Sequence, residues 1–148
     1  MKTKMLYICT ISMMLSVLCG CGTEGPGAYV HLSVLSVKNS STHDIEIIVE
    51  KPSSVLMTGT FTIKSGATFK TMKDAEGGYY NPNPLVAQIK FGDGIMMIHR
   101  YEDGDAYHNF CSEAAFEKKV QGKGCAEYTF EFTDEDYEYA KKHADKTE

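Results

Sequence analysis

Residues 125–132 read Cys-Ala-Glu-Tyr-Thr-Phe-Glu-Phe, and residues 133–144 continue as Thr-Asp-Glu-Asp-Tyr-Glu-Tyr-Ala-Lys-Lys-His-Ala. In the first run an apolar side chain recurs at every second position, which is typical of a strand with one buried face. In the second run Thr133 supplies an N-cap oxygen, acidic residues follow it, and Lys141 and Lys142 come near the end. That order matches the helix macrodipole. The stretch predicts a final strand over 126–132 and a C-terminal helix over 134–144.

The same two-residue period recurs upstream and predicts most of the other strands. Gly92-Asp93-Gly94 separates two alternating apolar runs, which indicates a β-hairpin. Ser112 is placed to cap a short helix that runs through Val120. The predicted upstream strands are 30–34, 45–50, 60–64, a short edge strand over 67–72, and the two hairpin strands 85–91 and 95–100.

Six or seven short strands and one terminal helix predict a mainly β protein. We expect an antiparallel β-sandwich, immunoglobulin-like or related, with a short C-terminal α-helix. The chain contains no tryptophan, so the sequence does not single out the immunoglobulin topology. Residues 28–148 are predicted to form one domain with the helix at its end.

The first 20 residues are predicted to be a removed signal peptide. Lys2 and Lys4 precede an apolar run over 5–18, which is shorter than the roughly 20 residues that a spanning helix needs. The sequence Leu18-Cys19-Gly20-Cys21 that follows resembles the lipobox of bacterial lipoproteins. This resemblance implies that Cys21 is diacylated and becomes the mature N-terminus, with residues 21–27 as a flexible tether.

The net charge excludes some partner classes. The whole chain carries −5, and removal of Lys2 and Lys4 with the signal makes the mature chain −7. An acidic protein of this kind is a poor match for nucleic acid, whose phosphates are bound mainly by lysine and arginine. The expected membrane contact is through the lipid on Cys21, and no other cofactor is predicted.

Two of the five cysteines remain after signal removal and lipidation: Cys111 and Cys125. Cys125 falls on the polar face of the predicted final strand, where an unpaired thiol would be exposed. An exported protein meets conditions in which disulfides form. The sequence therefore predicts a disulfide between Cys111 and Cys125, with two reduced, packed thiols as the alternative.

Four tyrosines fall in predicted loops or at strand ends: Tyr79, Tyr80, Tyr101 and Tyr107. An exposed tyrosine offers a rigid ring and a hydroxyl, which suit stacking on a sugar or anchoring a protein partner. These four are the predicted binding residues. The alternative is that they fold back and cover the open ends of the sandwich.

The segment 99–108 suggests a metal site as a weaker alternative. It contains His99, Asp103, Asp105 and His108, and two imidazoles with a carboxylate are sufficient ligands for zinc. The spacing matches no metal motif, and a solvated acidic turn explains it equally well. No catalytic residue is predicted, since the sequence contains no Gly-x-Ser-x-Gly nucleophile motif.

The chain as a whole resembles small envelope lipoproteins of the Bacteroides group. The resemblance rests on the lipobox ending at Cys21, the succession of short strands, and the strand-to-helix phrase over 128–137. It implies an immunoglobulin-like or related β-sandwich in the cell envelope, and it implies no activity. Gly22 after Cys21 is similar to lipoproteins sent to the outer membrane.

These observations predict a membrane-anchored envelope lipoprotein that is a non-enzymatic binding or assembly module. Its expected partners are an envelope protein or a glycan. Two alternatives remain open: a small metal-dependent envelope hydrolase, and an inhibitor or immunity-type lipoprotein that neutralises a basic enzyme.

Overall fold

The computed structural model describes residues 30–53, 56–76, 78–122 and 124–144. The predicted signal peptide, lipidation site and tether lie outside the described residues. Within the described ranges, no helix has the length and apolar character needed to cross a bilayer. The strands and the helix are β1 Val30–Asn39, β2 Ile45–Lys51, β3 Gly59–Ile63, β4 Thr68–Glu76, β5 Val86–Phe91, β6 Met96–Arg100, β7 Glu117–Val120, β8 Cys125–Phe132 and α1 Asp134–His143.

The strands form two four-stranded sheets. Sheet 1 has the order β4-β1-β8-β7, and sheet 2 has the order β3-β2-β5-β6. One core cluster joins the buried residues of both sheets, for example Leu35 and Phe130 from sheet 1 with Ile47 and Ile89 from sheet 2. The fold class is therefore a β-sandwich with a single described α-helix, which confirms the sequence prediction.

The strand directions differ from the prediction at one place. β1 pairs with β4 antiparallel, but it pairs with β8 parallel, with Leu32 opposite Cys125 and Asn39 opposite Phe132. Sheet 1 is therefore mixed, whereas all described pairings in sheet 2 are antiparallel. Alternating polarity predicts which face of a strand is buried, but it carries no information on the direction of the neighbouring strand.

The final strand, β8, has the alternating burial that its sequence predicts. Along β8 the side chains of Ala126, Tyr128, Phe130 and Phe132 are buried, and those between them are not. Phe130 meets Phe110 edge-to-face at a ring-centroid distance of 4.9 Å and contacts Phe132 at 4.7 Å. Aromatic residues bury large apolar areas and dominate the energetics of a core, so β8 anchors the interior of the sandwich.

The predicted hairpin is confirmed and is closed by Gly92-Asp93-Gly94. The Phe91 N–H donates to the carbonyl of Ile95 at 2.8 Å. Gly94 has φ +93°, a conformation that favours glycine because it has no Cβ. The hairpin places β6 at the edge of sheet 2.

The C-terminal helix is confirmed, with a capping box at its start. The Asp136 carboxylate accepts from the Thr133 N–H at 2.7 Å, and the Thr133 side chain accepts from the helix backbone in return. This reciprocal arrangement satisfies N–H groups that the first turn would otherwise leave unpaired.

The predicted helix from Ser112 to Val120 is wrong. Ser112 Oγ does accept from the Ala114 N–H, but the turn it caps covers only Glu113–Ala115. The following residues form β7, which pairs antiparallel with β8. Tertiary pairing with a buried strand outweighs a local capping signal. The predicted edge strand over 67–72 is confirmed as an edge, and it extends to residue 76.

Candidate ligand-binding groove

A groove of about 460 Å³ lies between β6, the loop over 101–109 and α1. Five consecutive residues of β6 form one wall. Neighbouring strand residues point to opposite faces of a sheet, so a groove that touches all five runs along the edge of the strand. Its lining residues are Met96, Met97, Ile98, His99, Arg100, Asp103, Ala106, Tyr107, Asn109, Tyr139 and His143.

Three stacked rings form the opposite wall. Tyr107 from the loop stacks on Tyr139 of α1 with centroids 4.2 Å apart, and Tyr139 stacks on His143 at 4.0 Å. His143 Nδ1 donates to the Tyr139 carbonyl at 2.7 Å, which fixes its ring. Tyr107 is 41% exposed. Burial raises the pKa of the Tyr107 hydroxyl, and nearby carboxylates add to this, so the ring stays neutral. The groove thus has a rigid aromatic wall with an accessible tyrosine.

The loop that carries Tyr107 is fixed by one buried asparagine. Asn109 Nδ2 donates to the carbonyls of Arg100 at 2.8 Å and Gly104 at 2.7 Å. Its Oδ1 accepts from the Cys111 N–H at 2.9 Å. Asn109 is only 4% exposed. Because its amide satisfies three backbone groups, Asn109 shapes the groove and has little capacity left to bind a ligand.

His99 forms a neutral, polar part of the groove floor. The ring is 6% exposed, and its Nδ1 accepts from the Phe110 N–H at 2.7 Å. Burial lowers the pKa of His99 to about 4, against the opposing effect of Asp136. The imidazole is therefore uncharged at neutral pH, and because Nδ1 accepts, Nε2 carries the proton. No described residue is hydrogen-bonded to Nε2, which leaves it as a donor at the groove.

A second histidine is held behind the loop by a buried carboxylate. His108 Nδ1 donates to Asp136 Oδ1 at 2.6 Å, and the Asp136 side chain is fully buried. The His108 ring stacks on Phe130 with centroids 4.4 Å apart. His108 also has φ +41°, a left-handed conformation that is uncommon outside glycine. Asp136 therefore fixes both the start of α1 and the loop that faces it.

The structure separates the four predicted tyrosines. Tyr107 lines the groove, while Tyr101 is 56% exposed and lies outside it. Tyr79 and Tyr80 are half-buried against the core. Tyr79 meets the His31 ring edge-to-face at 4.7 Å, and the Tyr80 N–H donates to Ser33 Oγ at 2.9 Å. For Tyr79 and Tyr80, the structure fits the alternative in which they cover the sandwich.

The structure does not gather the four residues of the predicted metal-site alternative. His99 and Asp103 both line the groove, but Asp105 accepts from Ser112 Oγ at 2.7 Å and His108 is bound to Asp136. No three histidine, cysteine, aspartate or glutamate side chains in the described ranges come together as a metal site would require. Proximity in the sequence does not bring these side chains to one point.

The predicted disulfide does not form, and both cysteines are free thiols. Cys111 lies in the core, where its thiol donates to the His99 carbonyl at 3.2 Å. Burial raises the pKa of Cys111 to about 12. Cys125 belongs to the face of β8 that points away from the core. The two thiols therefore lie on different sides of sheet 1, and the sequence pattern that placed Cys125 correctly said nothing about Cys111.

Sequence reasoning missed Tyr139 and His143, which complete the aromatic wall. A local signal existed, because residues four apart lie on the same face of a helix. The partner of that face, Tyr107, could not be found from spacing alone.

The chain has no match among protein-family models and none among curated proteins. Among solved structures it is similar to the dioxygenase domain of a dioxygenase carbohydrate-binding protein fusion from the cellulolytic bacterium Streptomyces sp. SirexAA-E. The identity is 13%, the TM-score is 0.32, and the match covers 76% of this chain and 83% of that chain.

Proposed function

We propose that this protein is a lipid-anchored lipoprotein of the cell envelope, placed at the outer membrane, that works as a non-enzymatic binding or assembly module. The observation that supports a binding role is the groove beside β6, where an apolar wall, a neutral donor and the accessible ring of Tyr107 come together. Aromatic side chains in a concave site are the usual anchors of recognition.

The hydrogen bonds of the two histidines support a non-enzymatic role. His99 Nδ1 is occupied by a backbone N–H, and His108 Nδ1 by Asp136. Nucleophilic catalysis needs a hydroxyl or thiol within hydrogen-bond reach of a base. Among the described side chains, no serine, threonine or cysteine is hydrogen-bonded to the ring of His99 or His108. Thr42 Oγ1 lies 3.2 Å from His43 Nδ1, but neither residue lines the groove.

The envelope location is supported by the sequence around Cys21. Each buried methylene contributes about 0.8 kcal/mol to membrane binding, and stable anchoring takes two signals such as two acyl chains. A diacylglyceryl group on Cys21 meets this condition without any membrane-spanning helix. The folded domain would then be held at the membrane by its N-terminus.

The binding role is tested by Tyr107→Ala in cells, with Tyr101→Ala as the matched control. Both tyrosines are exposed and close in sequence, but Tyr107 alone of the two lines the groove. Cross-linked neighbours are captured from each strain and quantified by mass spectrometry. We expect Tyr107→Ala to lose a neighbour that Tyr101→Ala keeps. Equal recovery from both variants, or no neighbour of the unaltered protein, would overturn the groove as the binding site.

The anchor is tested by Cys21→Ser, with Cys19→Ser as the control. Cells are grown with a labelled fatty acid, and the label on the protein is measured together with its presence in the membrane fraction. We expect Cys21→Ser to lose both and Cys19→Ser to keep both. Retained label in Cys21→Ser would contradict lipidation at this residue.

A further inference from the structure

β6 has an open backbone edge, and the hydrogen bonds of the hairpin show which groups face outward. The Phe91 N–H donates to the Ile95 carbonyl, and the Tyr101 N–H donates to the Leu85 carbonyl at 2.9 Å. Opposed residues in an antiparallel pair alternate between bonded and non-bonded pairs. Both of these bonds join odd-numbered residues, so the odd-numbered residues of β6 bond to β5.

The even-numbered residues of β6 therefore direct their backbone groups away from β5. These residues are Met96, Ile98 and Arg100, which face Lys90, Gln88 and Val86 across the ladder. The Arg100 carbonyl accepts from Asn109 Nδ2. Five outward-facing backbone groups remain: the N–H and carbonyl of Met96, the N–H and carbonyl of Ile98, and the N–H of Arg100. No hydrogen bond from another described residue reaches these five groups.

The side chains do not protect this edge. Natural proteins commonly block a sheet edge with lysine, proline or other charges. The first four residues of β6 are Met96, Met97, Ile98 and His99, and the pKa of His99 keeps its ring neutral at physiological pH. Met96 is 39% exposed. The one charged residue of β6 is Arg100 at its end, which lies 3.9 Å from Glu102. The rest of the edge, apolar and unblocked beside an aromatic wall, is suited to pairing with another chain.

We propose that the groove binds an extended segment of a partner protein, which adds to sheet 2 as a strand alongside β6. This inference rests on the proposed binding function and specifies its partner. The alternating donors and acceptors of β6 have the spacing of a polypeptide backbone, and a glycan cannot reproduce it. Alternate side chains of the added strand would point to opposite faces of sheet 2, one set beside Met96 and the other beside Met97.

The test uses the full chain in detergent and random linear peptides displayed on phage. Selected peptides are synthesised, and their binding is measured together with amide hydrogen exchange. We expect the N–H groups of Met96, Ile98 and Arg100 to exchange roughly tenfold more slowly when a peptide is bound, because each gains a hydrogen bond. The N–H of Met97 already bonds within the hairpin and serves as the internal reference.

Ile98→Pro removes one outward N–H and leaves the bonds to β5 in place. Proline is tolerated on an edge strand when its missing N–H would face solvent. We expect the selected peptides to bind this variant roughly tenfold more weakly. Met96→Lys places a charge on the same edge and gives an independent second variant. Its matched control is Val120→Lys on the edge of sheet 1, which we expect to leave binding unchanged.

The outcomes distinguish this inference from the proposed function. Peptides that bind without protecting the β6 amides would overturn strand addition while binding in the groove survives. Selection of no peptide, together with cross-linked neighbours that depend on Tyr107, would also overturn it; binding of starch, laminarin or mannan would then identify a glycan site. Protection of β6 that rises with protein concentration alone would assign the edge to a second copy and overturn the proposal.

Discussion

β6 and β7 are both short edge strands, one in each sheet, and they treat their open edges differently. β7 consists of Glu117, Lys118, Lys119 and Val120, all of them exposed, and three of the four are charged. β6 carries three apolar residues, the neutral His99 and a single charge on Arg100 at its end, and it faces a groove. Charge on an edge opposes pairing with another chain, so β7 is protected and β6 is left available.

One charged residue of β7, Lys118, also covers aromatic rings. Lys118 Nζ lies 5.3 Å from the centroid of the Tyr128 ring and 5.7 Å from that of Tyr79. In the groove, by contrast, Tyr107 and Tyr139 stack on one another and leave one ring accessible. Aromatic rings beside β7 are therefore covered by a lysine, whereas Tyr107 beside β6 stays exposed to solvent.

The largest expected change in stability comes from proline substitutions in β6, where N–H groups that bond to β5 alternate with N–H groups that face outward. Met97→Pro removes an N–H that bonds to β5, and we expect it to lower the free energy of unfolding by about 3 kcal/mol. Ile98→Pro removes only an outward N–H, and we expect a loss of about 1 kcal/mol or less. Urea denaturation followed by circular dichroism measures both. Equal losses would mean that the outward and inward groups of β6 have been assigned incorrectly.

A smaller loss of stability is expected when the pH is lowered, because the buried His99 in the groove floor then becomes unfavourable. The folded pKa of His99, about 4, is below its usual 6.5, so the fold favours the neutral ring. This contribution to stability is complete above pH 6.5 and is lost as the pH falls towards 4, because the unfolded chain then binds the proton more readily. We expect a loss of about 2 kcal/mol between pH 7 and pH 5.

His99→Gln is the control for this pH dependence, since glutamine can still accept from the Phe110 N–H but does not titrate. Urea denaturation at both pH values should show a smaller change for this variant than for the unaltered protein. The same slope in both proteins would show that another group carries the effect.

The smallest effect is expected on β7. Lys118→Ala removes a cation from two tyrosine rings, and we expect it to cost about 1 kcal/mol or less of unfolding free energy. Lys119→Ala on the opposite face of the strand should change it by less than about 0.5 kcal/mol. Urea denaturation of the pair checks this. An equal cost for both lysines would mean that Lys118 does not stabilise the fold through these rings.

Much of the fold could be predicted from the sequence because burial of one strand face leaves a two-residue period. The strand ending in Phe130 and Phe132, the hairpin at Gly92-Asp93-Gly94 and the helix after Thr133 all carried such local signals. The parallel pairing of β1 with β8 carried none, since it depends on packing between distant parts of the chain. For the same reason the local capping signal at Ser112 predicted a helix, whereas the residues that follow form β7 and pair with β8.

Less of the candidate site could be predicted. The composition of the loops predicted Tyr107 as a binding residue, but it predicted Tyr79 equally, and Tyr79 packs against the core. Asp136 was visible as an acid in the first turn of a helix, yet its bond to His108 is a tertiary contact. Local patterns indicate which side chains are polar or exposed, and only the folded arrangement decides which of them meet.

The pairing of β1 with β8 has a consequence for how the chain folds. The first described strand is central in sheet 1, and its parallel neighbour is the last strand before the helix. Sheet 1 therefore cannot be completed until β8 has been synthesised. Contacts between residues far apart in sequence slow folding, because the intervening loop must close before they form. β1 can pair with β4 earlier, but its second neighbour in sheet 1 is added only after β8 has been synthesised.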